Sequence, residues 1–345
     1  MGQILFVDLS TGVCESKPID DEIKLYIGGK GYAARLLYDH APANCDPLGS
    51  ENPLIFGTGP YNGTFGVQST RFIVTAKSPL TGTIGSATSG GDMALGMKKA
   101  GYDFIVIKGQ SKKPVYLEIT DEHIEIKDAS HLWGMTTSEV QNELPKRLKK
   151  AVIGPAGENL VRYSCILSGN RVAGRTGLGA VMGSKKLKAV ICGGKQKVQI
   201  AQKEKFRHYT KWLTSYFKKH TATGGYLPAL GTANLLMTTS GRNILPTFNF
   251  KQGSHPEAWK ISGEQMAKDH LISGEGCTAC PIHCGRKVRR PSDNKPIKGP
   301  EYETLALMGS NIGVFDLPAI LKFNETLDDM GMDSSSTGGT LAWAI

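Results

Sequence analysis

Residues 90–109 read GGDMALGMKKAGYDFIVIKG, and residues 176–194 read TGLGAVMGSKKLKAVICGG. Both follow one plan: a glycine-rich lead-in, a short Ala/Met helix that contains glycine, a Lys-Lys pair, and a strand ending in glycine. An arginine stands upstream of each, Arg71 for the first and Arg175 for the second. Two copies of one supersecondary unit predict a pseudo-twofold domain with two related binding sites.

Outward from these copies, β-rich runs fall at 3–9, 54–57, 71–76, 103–108, 115–119, 123–126, 151–154, 160–167 and 189–192. Gly, Pro, Asn and Asp punctuate them. Helical periodicity covers 21–38 and 137–150. The segment EITDEHIEIKD (118–128) reads as a hairpin turning around Asp121-Glu122. Past residue 200 the pattern changes to helices over 201–220, 229–239, 262–271 and 316–330. The last has Asp316 as N-cap, Pro318 in its first turn and Gly331 as its stop. The expected fold is an α+β domain over 1–200, built of two pseudo-twofold-related αβ repeats with mixed sheets, followed by a multihelical domain over 201–345. The final STGGTLAWAI (336–345) opens a helix with no cap or turn behind it, which predicts a fold that continues beyond this chain.

Composition narrows the class. The 345 residues carry a net charge of +10, with 40% apolar and 21% charged residues. That balance is ordinary for a globular protein and excludes a long disordered tail. No stretch approaches the ~18–20 apolar residues of a membrane helix. The opening MGQILFVDLSTG lacks the pattern of a secretory leader, so a soluble, cytoplasmic protein is expected. Forty-two glycines are too many for simply packed helices, and seven cysteines are an odd number. Without a leader, that count argues against a disulfide framework and for thiolate chemistry.

The strongest chemical signal is GCTACPIHCG, in which Cys277, Cys280 and Cys284 have C-x2-C-x3-C spacing. Three thiolates this close suit an iron–sulfur cluster or a zinc ion, each of which wants four ligands. Zinc would take His283 as the fourth, with strain between co-ligands 283 and 284; a cluster would take its fourth ligand elsewhere. Cys14, Cys45, Cys165 and Cys192 read as packing residues. Ser89-Gly90-Gly91 and Thr176-Gly177 offer bare backbone N–H groups to a phosphate, and Arg71 and Arg175 add bidentate donors. Residues 201–290 have a net charge of +9 and residues 291–345 a net of −5. The run Arg286-Lys287-x-Arg289-Arg290 suggests a surface that steers an acidic electron carrier. Few aromatics interleave with the basic residues, which argues against nucleic acid.

These residues lie in a chain that resembles the tungsten-containing aldehyde:ferredoxin oxidoreductases along essentially its whole length. The matching stretches are YIGGKGYAARLLYDH, LIFGTGPYNGT, RFIVTAKSPLTG, SGGDMALGMKKAGYDFIVIKG, IGPAGENLV, AGRTGLGAVMGSKKLKAV, CTACPIHCG, GPEYET and DDMGMDSSSTGGT. The resemblance implies a two-repeat base for two pterins that hold one tungsten, or molybdenum, through dithiolene sulfurs. It also implies helical domains that cover the metal and carry a [4Fe–4S] cluster. By the same resemblance Arg71, Thr88, Ser89 and Gly90 contact one pterin. Arg175, Thr176 and Gly177 contact the other, with Mg2+ bridging the pterin phosphates. Cys277, Cys280 and Cys284 are three of four cluster ligands. Glu303, with Tyr302, is the carboxylate near the metal, and Asp328 and Asp333 form a pterin-gripping motif.

Three departures accompany the resemblance. Thr88 stands where the best-known members have asparagine, which alters how magnesium is ligated. Lys322 replaces a glutamate of some members' dimer iron site, so that iron is not carried over. The family's third domain, with the fourth cluster cysteine and an active-site histidine, has no counterpart here. The implied activity is oxidation of an aldehyde with water to a carboxylate, with electrons passed through the cluster to ferredoxin. A homodimer or a separate C-terminal subunit is the implied assembly, with no nucleic acid and no membrane. The rival readings are a ring- or acyl-reducing enzyme on the same scaffold, a non-catalytic fragment or split-gene subunit, and a zinc-stabilised nucleic-acid-binding protein.

Overall fold

The computed structural model describes residues 2–19 and 21–345; Met1, on which the reading of the N-terminus partly rests, and Asp20 lie outside them. The chain divides into two compact units. One runs to Lys203 and includes Asp329–Met332; the other comprises Glu204–Asp328 and Asp333–Ile345.

The first unit builds the same sheet twice. Its first half runs β1 (Gln3–Asp8), β2 (Val13–Pro18), α1 (Ile23–Tyr26), α2 (Gly29–His40), β3 (Leu54–Gly57), β4 (Phe72–Lys77), β5 (Ile84–Ser89), α3 (Met93–Ala100) and β6 (Tyr102–Lys108). Its second half runs β7 (Val115–Ile119), β8 (Ile124–Asp128), α4 (Thr137–Glu143), β9 (Lys149–Val152), α5 (Pro155–Glu158), β10 (Ile166–Ser168), β11 (Arg171–Ala173), α6 (Leu178–Ser184) and β12 (Leu187–Cys192). The strand orders, β2-β1-β6-β3-β4-β5 and β8-β7-β12-β9-β10-β11, are one topology written twice. In each sheet a single pair is parallel, β1 with β6 and β7 with β12, and the other neighbours are antiparallel. The duplicated motif is therefore the visible part of a duplicated αβ repeat.

Even the irregularities match. The β1–β6 register skips Asp103, and the β7–β12 register skips Lys188, the second residue of the last strand in each repeat. Such a bulge lets two residues on one strand oppose one on its partner. Tyr102 and Ile105 thus face the same core three residues apart, as do Leu187 and Val190. Both bulged residues are buried charges with partners. Asp103 pairs with Lys98 and accepts from Gly2 N at 2.7 Å, while Lys188 pairs with Glu158 and donates to Met135 O at 2.8 Å.

Between the sheets lies one core. Leu5, Val7, Phe56 and Phe72 of the first sheet and Leu117, Ile166 and Val190 of the second enclose Met93 and Met97 of α3 with Val181 and Met182 of α6. Each such side chain contributes ~1.5–3 kcal/mol on burial. The outer face of the first sheet is covered by Tyr32, Ala33, Leu36 and Leu37 of α2, and that of the second by Val140 of α4. The helix glycines of the repeat serve this packing. A Cβ at Gly96 would lie 2.7 Å from the Cys192 carbonyl oxygen, and one at Gly183 would lie 1.9 Å from that of Gly157. Part of the glycine surplus is therefore close contact between elements rather than phosphate binding.

Several sequence expectations are corrected here. The helix expected over 21–38 is two helices, broken where Ile27 and Gly28 have φ of 64° and 114°. The helix expected over 137–150 stops at Glu143 because Pro145 follows, and Lys149 already begins β9. Its N-cap is Thr136, in a reciprocal box with Glu139. The strand expected over 160–167 is confined to β10, after a left-handed turn at Leu160. The 118–128 hairpin forms as expected, with Ile119 opposite Ile124.

The second unit begins within α7 (Lys203–Lys219), none of whose residues is buried. It continues through α8 (Leu227–Leu230), α9 (Leu235–Gly241) and α10 (Gly263–Asp269), which Ser262 caps. Then comes an antiparallel sheet that the sequence reading missed: β13 (Leu271–Glu275), β14 (Gly285–Arg289) and β15 (Pro296–Lys298). Helices α11 (Tyr302–Leu307), α12 (Leu317–Met330) and α13 (Ser334–Ala344) complete the chain. Gly331, at φ 73°, ends α12 as expected. Leu236, Ile261, Met266, Val288, Leu305, Ile320 and Leu321 form the core. No single helix among the described residues is long and apolar enough to cross a membrane.

Candidate functional site

The β4–β5 ladder pairs Phe72 with Ser89, so Arg71 and Gly90 leave its end side by side. Arg71 and Thr88 are exposed, while Ser89 and Gly90 are buried. Two hydroxyls at this end, Thr70 Oγ1 and Ser89 Oγ, are buried with no hydrogen-bond partner. A buried hydroxyl left unmatched costs ~1–3 kcal/mol, so the pair marks a place prepared for a polar ligand. Sequence reasoning singled out Ser89 and missed Thr70; its adjacency to Arg71 was the available signal.

The second arginine turn leans on the first repeat. Thr176 has a left-handed φ of 79°, a conformation costing a non-glycine residue ~1–3 kcal/mol. Gly177, at φ 73°, has no room for a side chain, since a Cβ would lie 2.0 Å from Arg162 O. A Cβ on Gly85 of β5 would lie 2.9 Å from the Thr176 side chain, and Ser78, just past β4, donates to Thr176 O at 2.7 Å. Reciprocally, a Cβ on Gly91 would come within 2.8 Å of Ser168 O, at the end of β10. Each glycine turn thus packs against the other repeat's sheet.

The cysteines occupy the hairpin loop between β13 and β14, whose closing pair is Glu275 with Gly285. Cys280 N donates to Cys277 O at 3.0 Å, and Ala279 and His283 both have positive φ. All three thiols are half-buried. No group of three or more His, Cys, Asp or Glu side chains among the described residues lies close enough to hold a metal ion. The cysteines therefore share a loop without being gathered at one point. The donor set still has the right chemistry, three soft thiolates on nine residues of strand-anchored chain. Cys45, Cys165 and Cys192 are buried, and burial pushes the Cys192 thiol well above its ordinary value, as expected of packing residues.

The expected carboxylates have different surroundings. Glu303 is exposed in the first turn of α11. Tyr302 is tied down, its N–H donating to Thr232 Oγ1 at 3.0 Å and its hydroxyl to Thr239 Oγ1 at 3.3 Å. Asp328 binds Lys298 Nζ through both oxygens, at 3.0 and 2.8 Å. Asp333 caps α13, accepting from Ser336 N at 2.9 Å. The basic run does not form one steering surface. Arg286 is buried, and Arg290 is paired with Glu325 and Asp293. Arg286 lies two positions before buried Val288 on β14 and shares its inward face.

Comparison with known proteins gives two family matches. The aldehyde ferredoxin oxidoreductase N-terminal domain matches residues 4–194, and domains 2 and 3 of the same family match residues 208–345. The tungsten-containing aldehyde ferredoxin oxidoreductase of Pyrococcus furiosus is 44% identical over 351 residues, covering 100% of this chain and 58% of that protein. The WOR-like subunit of an aliphatic sulfonate oxidoreductase from the same organism is 32% identical, covering 99% and 58%. Among solved structures, the active-site complex BamBC of benzoyl coenzyme A reductase, bound to 1,5-dienoyl-CoA, matches with a TM-score of 0.86 at 29% identity. That match covers 99% of this chain and 55% of the other. The chain thus spans 58% of the length of the curated relatives described.

Proposed function

The chain belongs to the aldehyde ferredoxin oxidoreductase family, and on that premise we propose that it serves the oxidation of an aldehyde with water to a carboxylate, releasing two electrons to ferredoxin and three protons. The observation that carries the reading is the end of the β4–β5 ladder, where two buried, unpartnered hydroxyls flank an exposed arginine. Those orphaned donors fit an anionic, polar group such as a pterin phosphate.

When bound, a bis-pterin tungsten (or molybdenum) group with Mg2+ would supply Lewis-acid and two-electron redox chemistry, and a [4Fe–4S] cluster would supply one-electron transfer. The protein's own share is to hold and orient. Arg71, Thr70, Thr88, Ser89 and Gly90 hold one pterin. Arg175, Thr176 and Gly177 hold the other, and each turn packs against the other repeat's sheet. Cys277, Cys280 and Cys284 supply three cluster thiolates. Glu303 takes the proton as water adds to the carbonyl. Tyr302, fixed by Thr232 and Thr239, orients the first turn of α11. Asp328 and Asp333 shape the segment that grips a pterin.

Protein purified without oxygen should contain tungsten or molybdenum, pterin and ~4 iron atoms, and should reduce ferredoxin with an aldehyde. Zinc without pterin would overturn the reading. The double variant R71A/R175A should lose pterin and tungsten together, and C280S should lose the iron EPR signal. The likeness to benzoyl coenzyme A reductase supports a second reading, acyl-ring reduction on the same scaffold. The higher identity to aldehyde oxidoreductases favours the first, and assays with both substrate classes separate them.

A further inference from the structure

Arg286 lies two residues beyond Cys284, on β14, with 3% of its surface exposed. Its guanidinium donates to four backbone carbonyls. Nη1 reaches Pro228 O at 2.6 Å and Ala229 O at 2.9 Å; Nη2 reaches Leu227 O at 3.2 Å and also His283 O. The first three are carbonyls of the single turn α8, and the fourth belongs to the cysteine loop itself. One side chain therefore ties the end of α8 to the peptide just before Cys284.

Glycines make room for this arrangement. A Cβ at Gly299 would lie 2.7 Å from Arg286 Cβ, and one at Gly274 would lie 3.2 Å from its Nη2. At Gly231, whose φ is 66°, a Cβ would lie 2.7 Å from Cys284 O. The loop backbone, the guanidinium and α8 are in contact only because these positions lack side chains. A guanidinium stays protonated throughout the working pH range, so it is a permanent buried cation beside the thiolate loop.

We propose that Arg286 is a positioning residue for the redox centre. It anchors the cysteine hairpin to α8, and its fixed charge raises the reduction potential of the cluster bound there. The inference rests on the [4Fe–4S] reading of the loop. A cluster gains one negative charge when it takes up an electron, and a nearby cation in a poorly solvated site favours that state. Four carbonyls spread over two segments suit a planar fork; a lysine ammonium has the charge but cannot span them.

The test compares wild type, Arg286→Lys and Arg286→Gln, each purified anaerobically as holoprotein. Iron and sulfide content are measured, and the cluster midpoint potential is read by EPR-monitored redox titration. R286Q should shift the midpoint to more negative potential, and R286K should restore it towards wild type while holding less iron than wild type. One common midpoint with full iron in all three proteins overturns the proposal. If R286Q fails to fold, R286K decides alone, and iron content equal to wild type overturns the positioning role. Wild-type protein without iron would overturn the cluster reading, and this inference with it, whereas invariant potentials in iron-loaded variants would overturn the inference alone.

Discussion

The Ser78 hydroxyl donates to the carbonyl of Thr176 at 2.7 Å, across 98 positions of sequence. The bond joins the end of a strand in the first repeat to the arginine turn of the second. The same oxygen accepts from Leu80 N and Thr81 N, so one buried atom shapes its own turn and braces another.

Ser78→Ala should therefore cost ~1–3 kcal/mol, because the Thr176 carbonyl is left without this donor. Thermal denaturation measures that loss. The cofactor reading adds a second expectation: pterin released per chain should fall in S78A. It should stay at wild-type level in Val140→Ala, which truncates the core on the outer face of the second sheet. Equal pterin in S78A and wild type would separate the brace from cofactor binding.

The two helix glycines offer a test of the repeat itself. Gly96→Ala and Gly183→Ala each force a Cβ into a backbone carbonyl, at 2.7 and 1.9 Å. Each should destabilise by ~1–3 kcal/mol or more, G183A the more severely. Gly339→Ala, in helix α13 with nothing within 4 Å of its added Cβ, should instead be neutral or stabilise by up to ~1 kcal/mol. Urea titrations of the three variants check the order.

Lys188 and Glu158 form an ion pair whose side chains are 0% and 5% exposed, with Glu158 also accepting from Gly134 N at 2.9 Å. Lys188→Met should cost ~3–5 kcal/mol by leaving a buried carboxylate without its cation. Lys188→Met combined with Glu158→Gln removes both charges and should recover much of that loss. A double variant no more stable than K188M would show that the lysine's bond to Met135 O, rather than the charge pair, carries the stability.

How far the fold was legible follows from where its determinants lie. The repeat announced itself because glycine, Lys-Lys and an apolar strand form one local pattern that both copies retain. Strand β5, IGSATS, did not, since nothing apolar alternates in it and its place comes from pairing with β4. The strands flanking the cysteines, LISGE and GRKVR, are equally poor in alternation, so the loop's hairpin setting was invisible and Arg286 read as surface charge. At the candidate site, arginines, glycines and cysteines were legible as residue types. Ser78 and Arg286 were not, because their roles depend on contacts between segments distant in sequence.

Lys185 gives the protein a pH dependence of definite sign. Its ammonium is fully buried and donates to Ser50 O and Gly109 O, each at 3.2 Å. Burial, aided by nearby Lys108 and opposed by Asp8 and Cys45, lowers its pKa from 10.5 to about 8. Below pH 8 the folded and unfolded chains both hold this proton, and the contribution of Lys185 does not change with pH. Between pH 8 and 10.5 the unfolded chain keeps the proton while the folded chain releases it, so stability rises with pH across that window. The full rise from this one group is on the order of 3 kcal/mol. Lys185→Met has no proton to lose, so the difference in unfolding free energy between wild type and K185M should shift in favour of wild type from pH 8 to pH 10. A difference that stays constant across that range would show that Lys185 remains charged in the folded protein, its two carbonyl bonds outweighing its burial.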